Sequence, residues 1–123
     1  MAYLNDRVLD NGLAVLDTEA NRMDICSSEP TSYSEATSTY TLGNKTSISI
    51  GSPEARSPSG RKVVVAEITG GSVTGTGTAA YWAITDTSNS RLLAAGSLSS
   101  SQAVTSGNTF SLASFEIGIP GPA

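Results

Sequence analysis

No histidine occurs among the 123 residues. That removes every Ser–His and Cys–His nucleophilic pair, and with them the commonest metal ligand. The single cysteine, Cys26, cannot form an internal disulfide or build a four-ligand zinc site. A lone cysteine reads as a small buried hydrophobe. Of eleven carboxylates, Glu67 and Glu116 stand in strand-like stretches and form the best pair for glycosidase chemistry, which needs two carboxyls at a fixed separation. Each alternates with inward apolar neighbours, so the favoured reading leaves both facing solvent. Asp86-Thr-Ser-Asn89-Ser90 gathers several oxygens, yet one carboxylate is too little charge for a calcium loop. An Asx-type turn accounts for the same residues. Gly75-Thr-Gly77 lacks the lysine of a phosphate loop, and there is no nucleophile elbow, Walker loop or dinucleotide fingerprint. These absences point to a chain that is not an enzyme and uses no cofactor and no metal.

Contact residues remain. Tyr81-Trp82 places two aromatics on opposite faces of one strand. Trp82 shares its parity with Ala80 and Ile84 and is expected in the core, whereas Tyr81 is open to an interface or a sugar-binding groove. Tyr3, Leu4, Arg56 and Arg61 join Tyr81 as the expected interface residues. The loop Gly51–Gly60 is a second place where a glycan could bind.

The elements that would position these residues are mostly strands. The chain holds 20 Ser, 14 Thr and 12 Gly but only 15% charged residues, a composition suited to pleated strands joined by polar turns. Its hydrophobic content of 38% with a net charge of −4 is that of a compact domain. A pI near 4.5 and scattered basic residues, with only Arg61–Lys62 adjoining, argue against nucleic acid. The N-terminus lacks a secretory pattern, and no apolar run approaches the ~20 residues needed to span a bilayer, so no membrane partner is expected.

Along the chain, Val8, Leu9, Leu13, Leu16 and Ala20 recur at helical intervals and predict a helix over Asn5–Ala20. Asn11-Gly12, a preferred tight-turn dipeptide, conflicts with it. Arg22–Ser27 alternates as a half-buried strand, with Met23 and Ile25 inward and Asp24 opposite. Ser32-Tyr-Ser-Glu35 has capping-box spacing and predicts one helical turn. Tyr40–Ile50 reads as extended, and Gly51–Gly60 as a long surface loop. Further strands are expected over Lys62–Thr69, with Val64, Ala66 and Ile68 on one face, and over Ser72–Thr85. Gly70-Gly71 reads as the hairpin turn between them. Asp86–Ser90 is a turn, Arg91–Ser97 a strand and Ser99–Ala103 a connection. In the last strand Phe110 and Leu112 are out of phase with Phe115, Ile117 and Ile119, which predicts a bulge near Ala113–Ser114. The fold class is therefore mainly β, a β-sandwich or small barrel with a short N-terminal helix. It reads as one domain, with residues 1–21 a helical arm and 22–123 the β-sandwich.

Several stretches carry a family likeness: Ile25-Cys-Ser-Ser-Glu-Pro-Thr-Ser-Tyr-Ser-Glu-Ala-Thr-Ser-Thr-Tyr40, Gly60-Arg-Lys-Val, Tyr81-Trp-Ala-Ile-Thr-Asp-Thr87, Arg91-Leu-Leu-Ala-Ala-Gly and Gln102-Ala-Val-Thr-Ser-Gly-Asn108. Together they resemble a family of small β-rich virion-associated proteins of tailed bacteriophages and prophages, over about Asn5 to Ile119. The resemblance implies a structural part of the virion assembled in the bacterial host cytoplasm, and carries no catalytic residues. The most concrete expectation is a capsid decoration or cement protein, homo-oligomeric and bound to the major capsid protein or other virion proteins. A tail- or fibre-associated adaptor or host-glycan-binding module is the alternative.

Overall fold

Residues 3–4, 12–55 and 61–119 are described in a computed structural model of the chain. Their strands are β1 (Tyr3–Leu4), β2 (Arg22–Cys26), β3 (Thr41–Thr46), β4 (Glu54–Ala55), β5 (Arg61–Val65), β6 (Ile68–Val73), β7 (Gly77–Asp86), β8 (Arg91–Val104), β9 (Thr109–Leu112) and β10 (Phe115–Ile119). They form a seven-stranded sheet in the order β1-β8-β7-β2-β3-β6-β9 and a three-stranded sheet in the order β10-β5-β4. Every strand pairing is antiparallel. One core lies between them: Met23, Ile25, Ile84 and Leu93 of the large sheet meet Val63, Val65 and Ile117 of the small one. The mainly β architecture with a short N-terminal helix is as expected.

The helix α1 spans only Ala14–Glu19. Gly12 has φ +73°, a left-handed conformation that an α-helix cannot contain, so the turn preference of Asn11-Gly12 prevails there. Residues 5–11, including the expected cap at Asn5 or Asp6, lie outside the described residues. The described residues of the expected N-terminal arm join the common fold. Tyr3 and Leu4 pair with Ala95 and Ala94, and Leu13, Val15 and Leu16 are buried in the common core. Arg91 of β8 holds the helix through Glu19 at 3.6 Å.

β2 lies inside the large sheet between β3 and β7, and both of its faces are covered. The expectation of a half-buried strand fails at Asp24, which is 0% exposed. Its face is roofed by a π-helical turn, Glu35–Thr39, with Ala36 packed near Cys26, Ala83, Leu92 and Ala95 in a second small core. The expected capping spacing starts that turn. The Glu35 N–H donates to Ser32 Oγ at 3.2 Å, while the Glu35 carboxylate accepts from Thr31 N–H and Oγ at 2.8 and 2.9 Å. These bonds hold the Glu35 carboxyl below its usual value.

Two expected strands are sheet switches. Lys62–Thr69 divides into β5 and β6, which belong to different sheets. Val63 and Val65 are buried, not Val64 and Ala66; the break at Ala66–Glu67 resets the parity so that Ile68 still faces the core. Phe110 and Leu112 sit in β9 of the large sheet, Phe115 and Ile117 in β10 of the small one. Their phase change is thus a switch at Ala113–Ser114 and not a bulge. Conversely, Gly70-Gly71 is no hairpin turn. It lies within β6, where the register slips between Ile68 and Gly71, and the Phe110 ring covers Gly71. The Ser72–Thr85 stretch breaks after Val73, and the loop Gly51–Gly60 contains β4.

Candidate functional site: an aromatic-floored cleft between the sheets

Three irregularities of the backbone meet at one place. First, Ser97 pairs with Tyr81 while Gln102 pairs with Ala79. The four residues Leu98–Ser101 therefore stand against Ala80 alone and bow out of the sheet. This is where a connection was expected; β8 instead continues through it as an excursion. Second, Gly96 lies opposite Trp82, and a Cβ there would meet the indole Cζ2 at 2.9 Å. Glycine lets the ring lie flat on β8. Third, the switch at Ala113–Ser114 brings Phe115 over Trp82, with ring centroids 4.8 Å apart and planes inclined by 42°.

The result is an open cleft of about 540 Å³. Trp82 and Phe115 form its floor, and Ser97, Ser99, Ser100, Gln102, Ser114 and Glu116 supply polar walls. Trp82 is half-buried: one side packs on the core as expected, the other faces the cleft. Glu116 is exposed and accepts from Lys62 Nζ at 2.7 Å, a contact that raises the Lys62 pKa. Glu54 is 3.8 Å from the same ammonium. Glu67 is exposed at the β5–β6 break and does not line the cleft. The outward reading of both glutamates holds.

The described residues among the five expected at an interface lie on different elements. Tyr81 is half-buried against the second small core and faces away from the cleft. Arg61 is exposed in the small sheet, where its Nη2 donates to the Pro53 carbonyl at 3.2 Å. Tyr3 and Leu4 form the edge strand beside β8, and Arg56 lies outside the described residues. The cleft went unread in the sequence because its walls come from two sheets, and the switch that joins them looked like a bulge.

A buried polar cluster was also missed. Asp24 accepts from Arg22 Nε at 2.8 Å and Nη2 at 2.9 Å, and from Thr41 Oγ1 at 2.6 Å. Burial pushes the Asp24 carboxyl above its usual value, against the pull of Arg22 and Thr41. The Asp24 hydrogen bond raises Arg22. Arg22 and Asp24 are two residues apart on one strand and so share a face; that spacing was the available signal. Cys26 is fully buried beside them, with Sγ 3.7 Å from the Ala36 carbonyl. Desolvation lifts its thiol to about 12, which suppresses the thiolate a nucleophile needs. The small-hydrophobe reading of Cys26 stands. Asp86 makes the expected Asx turn, accepting from Ser88 N–H at 3.0 Å and Asn89 Nδ2 at 2.8 Å. Among the described residues, no three His, Cys, Asp or Glu side chains group to hold a metal.

The cleft has an apolar floor and hydrogen-bonding walls, with a single carboxylate already paired to a lysine. Comparison with protein-family models, curated proteins and solved structures finds no match to this chain.

Proposed function

We propose that this chain is a non-enzymatic structural subunit of a tailed-phage particle, serving as a decoration or cement protein on the outer capsid shell. The observation that carries the reading is how the reactive groups are engaged. Asp24 is locked by Arg22 and Thr41, Asp86 closes a turn, Cys26 is buried as a thiol and Glu116 is tied to Lys62. What is left outside is a surface of Ser and Thr on two antiparallel sheets; the placement in a phage particle is drawn from the sequence resemblance.

Such a domain suits a repetitive lattice. β9 ends the large sheet with Thr109 and Ser111 exposed, an edge able to extend a neighbour's sheet. Contacts of that kind are individually weak and gain strength from many copies on one shell. The partners are the major capsid protein and further copies of this chain, in the virion assembled in the host cytoplasm. With a net charge of −4, nucleic acid is not among them. No helix of the described residues is long and apolar enough to cross a membrane. The cleft favours a second reading, a tail- or fibre-associated adaptor that binds host glycans.

Deleting the gene tests the proposal. Particles lacking the protein should release DNA at lower temperature or milder osmotic shock, and added purified protein should restore them. Particles of unchanged stability that do not bind added protein would contradict the cement role.

A further inference from the structure

We propose that the Trp82–Phe115 cleft is a binding site for a neutral oligosaccharide. This inference goes beyond the placement of the chain in a particle and does not depend on it. The lining chemistry selects the ligand class. A wholly apolar ligand would strip water from Gln102, Glu116 and the wall serines without replacing their hydrogen bonds, at a cost for each group left unpaired. Among the described residues an anionic ligand finds no free cation on the walls: Lys62 is held by Glu116 at 2.7 Å, and Glu116 itself adds a negative charge beside the opening. A pyranose ring meets both demands at once. Its C–H face packs on an aromatic surface, while its hydroxyls ring the edge and exchange hydrogen bonds with short hydroxyls, an amide and a carboxylate. About 540 Å³ falls within the range of small-molecule sites, and the open shape admits a chain of sugars and not only one ring.

The backbone supports the same assignment. Excursions such as Leu98–Ser101 are found beside functional sites, where they re-aim side chains. Here the excursion brings Ser99 and Ser100 to the cleft that Phe115 and Glu116 also line. Gly96 clears the space in which the indole lies. Tyr81, one residue away, faces the opposite side of the sheet, so the aromatic floor owes nothing to the residue that sequence alone marked for sugar.

Trp82 is the chain's one tryptophan, which makes the site report on itself. The experiment titrates the full chain with cellotetraose, maltotetraose, mannotetraose and N-acetylchitotetraose, following tryptophan emission and checking each by calorimetry. A saturable emission change with at least one of the four is expected. Gln102→Ala combined with Ser100→Ala, both exposed in the free protein, should weaken that binding about tenfold, the effect of two neutral hydrogen bonds. The thermal midpoint of this variant should be unchanged. No emission change and no heat with any of the four sugars would overturn the proposal. So would binding of equal strength in the double variant, or a response confined to an anionic sugar such as sialyllactose.

Discussion

Replacing Arg22 by methionine should cost the fold about 3 kcal/mol near neutral pH, and the loss should shrink on acidification. Asp24 is 0% exposed and takes two hydrogen bonds from Arg22. Without them it keeps only the Thr41 hydroxyl. Breaking a buried pair by removing one partner costs roughly 3–5 kcal/mol, because an uncompensated charge is left behind. The Arg22 side chain is 22% exposed, so water already attenuates the pair and the lower end applies. Against a total stability of about 5–15 kcal/mol, this should lower the thermal midpoint by roughly 10 °C. The pH dependence identifies the cause. The Asp24 carboxyl is raised in the folded state, chiefly by burial, with Arg22 and Thr41 pulling the other way. An acid raised on folding weakens the fold at pH above its folded value, and the penalty is relieved as pH falls through it. Losing Arg22 removes the largest opposing pull, so the penalty at neutral pH grows and its relief on acidification begins at a higher pH. Urea unfolding followed by far-ultraviolet dichroism at pH 7 and pH 4 measures both effects. A loss under about 1 kcal/mol, or an equal loss at the two pH values, would refute the reasoning and leave packing as the role of Arg22.

Three further outcomes follow from the same structure. Gly43→Ala would set a Cβ 2.6 Å from the Ser72 carbonyl oxygen and 3.1 Å from Val73 Cα. Both are backbone, so β3 and β6 must part, at a cost of roughly 1–3 kcal/mol or more; a wild-type melting curve would show that the sheet accommodates it. Cys26 is fully buried with its thiol at about 12, so a disulfide reagent at pH 8 should label it only at the rate of unfolding. Fast labelling of the native protein would contradict that burial. Glu67→Gln with Glu116→Gln alters two exposed carboxylates and should leave the proposed capsid reinforcement unchanged in the particle-stability assay; a loss there would bring carboxylate chemistry back into consideration.

The sequence made the fold class legible because its signals were local. Thr, Ser and Gly marked strands and turns, Ser32 and Glu35 marked the start of the helical turn, and Asp86 marked the Asx turn. It hid the features that depend on which sheet a strand joins. Val63 and Val65 lie inward while Val64 does not, since β5 leaves the small sheet at Ala66–Glu67. Alternation alone cannot tell a strand that changes sheet from one that bulges, because both reset the parity. Asp24 misled for a related reason: a charged residue on a strand signals solvent unless something roofs that face. Here the roof is the Glu35–Thr39 turn, and the buried carboxylate is paired with Arg22 of its own strand. The cleft was hidden twice over, by the switch before Phe115 and by the excursion of β8.

The measurement that most directly tests the proposed structural role is copy number, by quantitative mass spectrometry on purified particles of a phage carrying this gene. Hundreds of copies per particle, equal to the major capsid protein or a simple fraction of it, are expected of a shell protein. A few dozen or fewer would contradict the shell placement and move the chain to a vertex, tail or fibre, and none would end the virion reading.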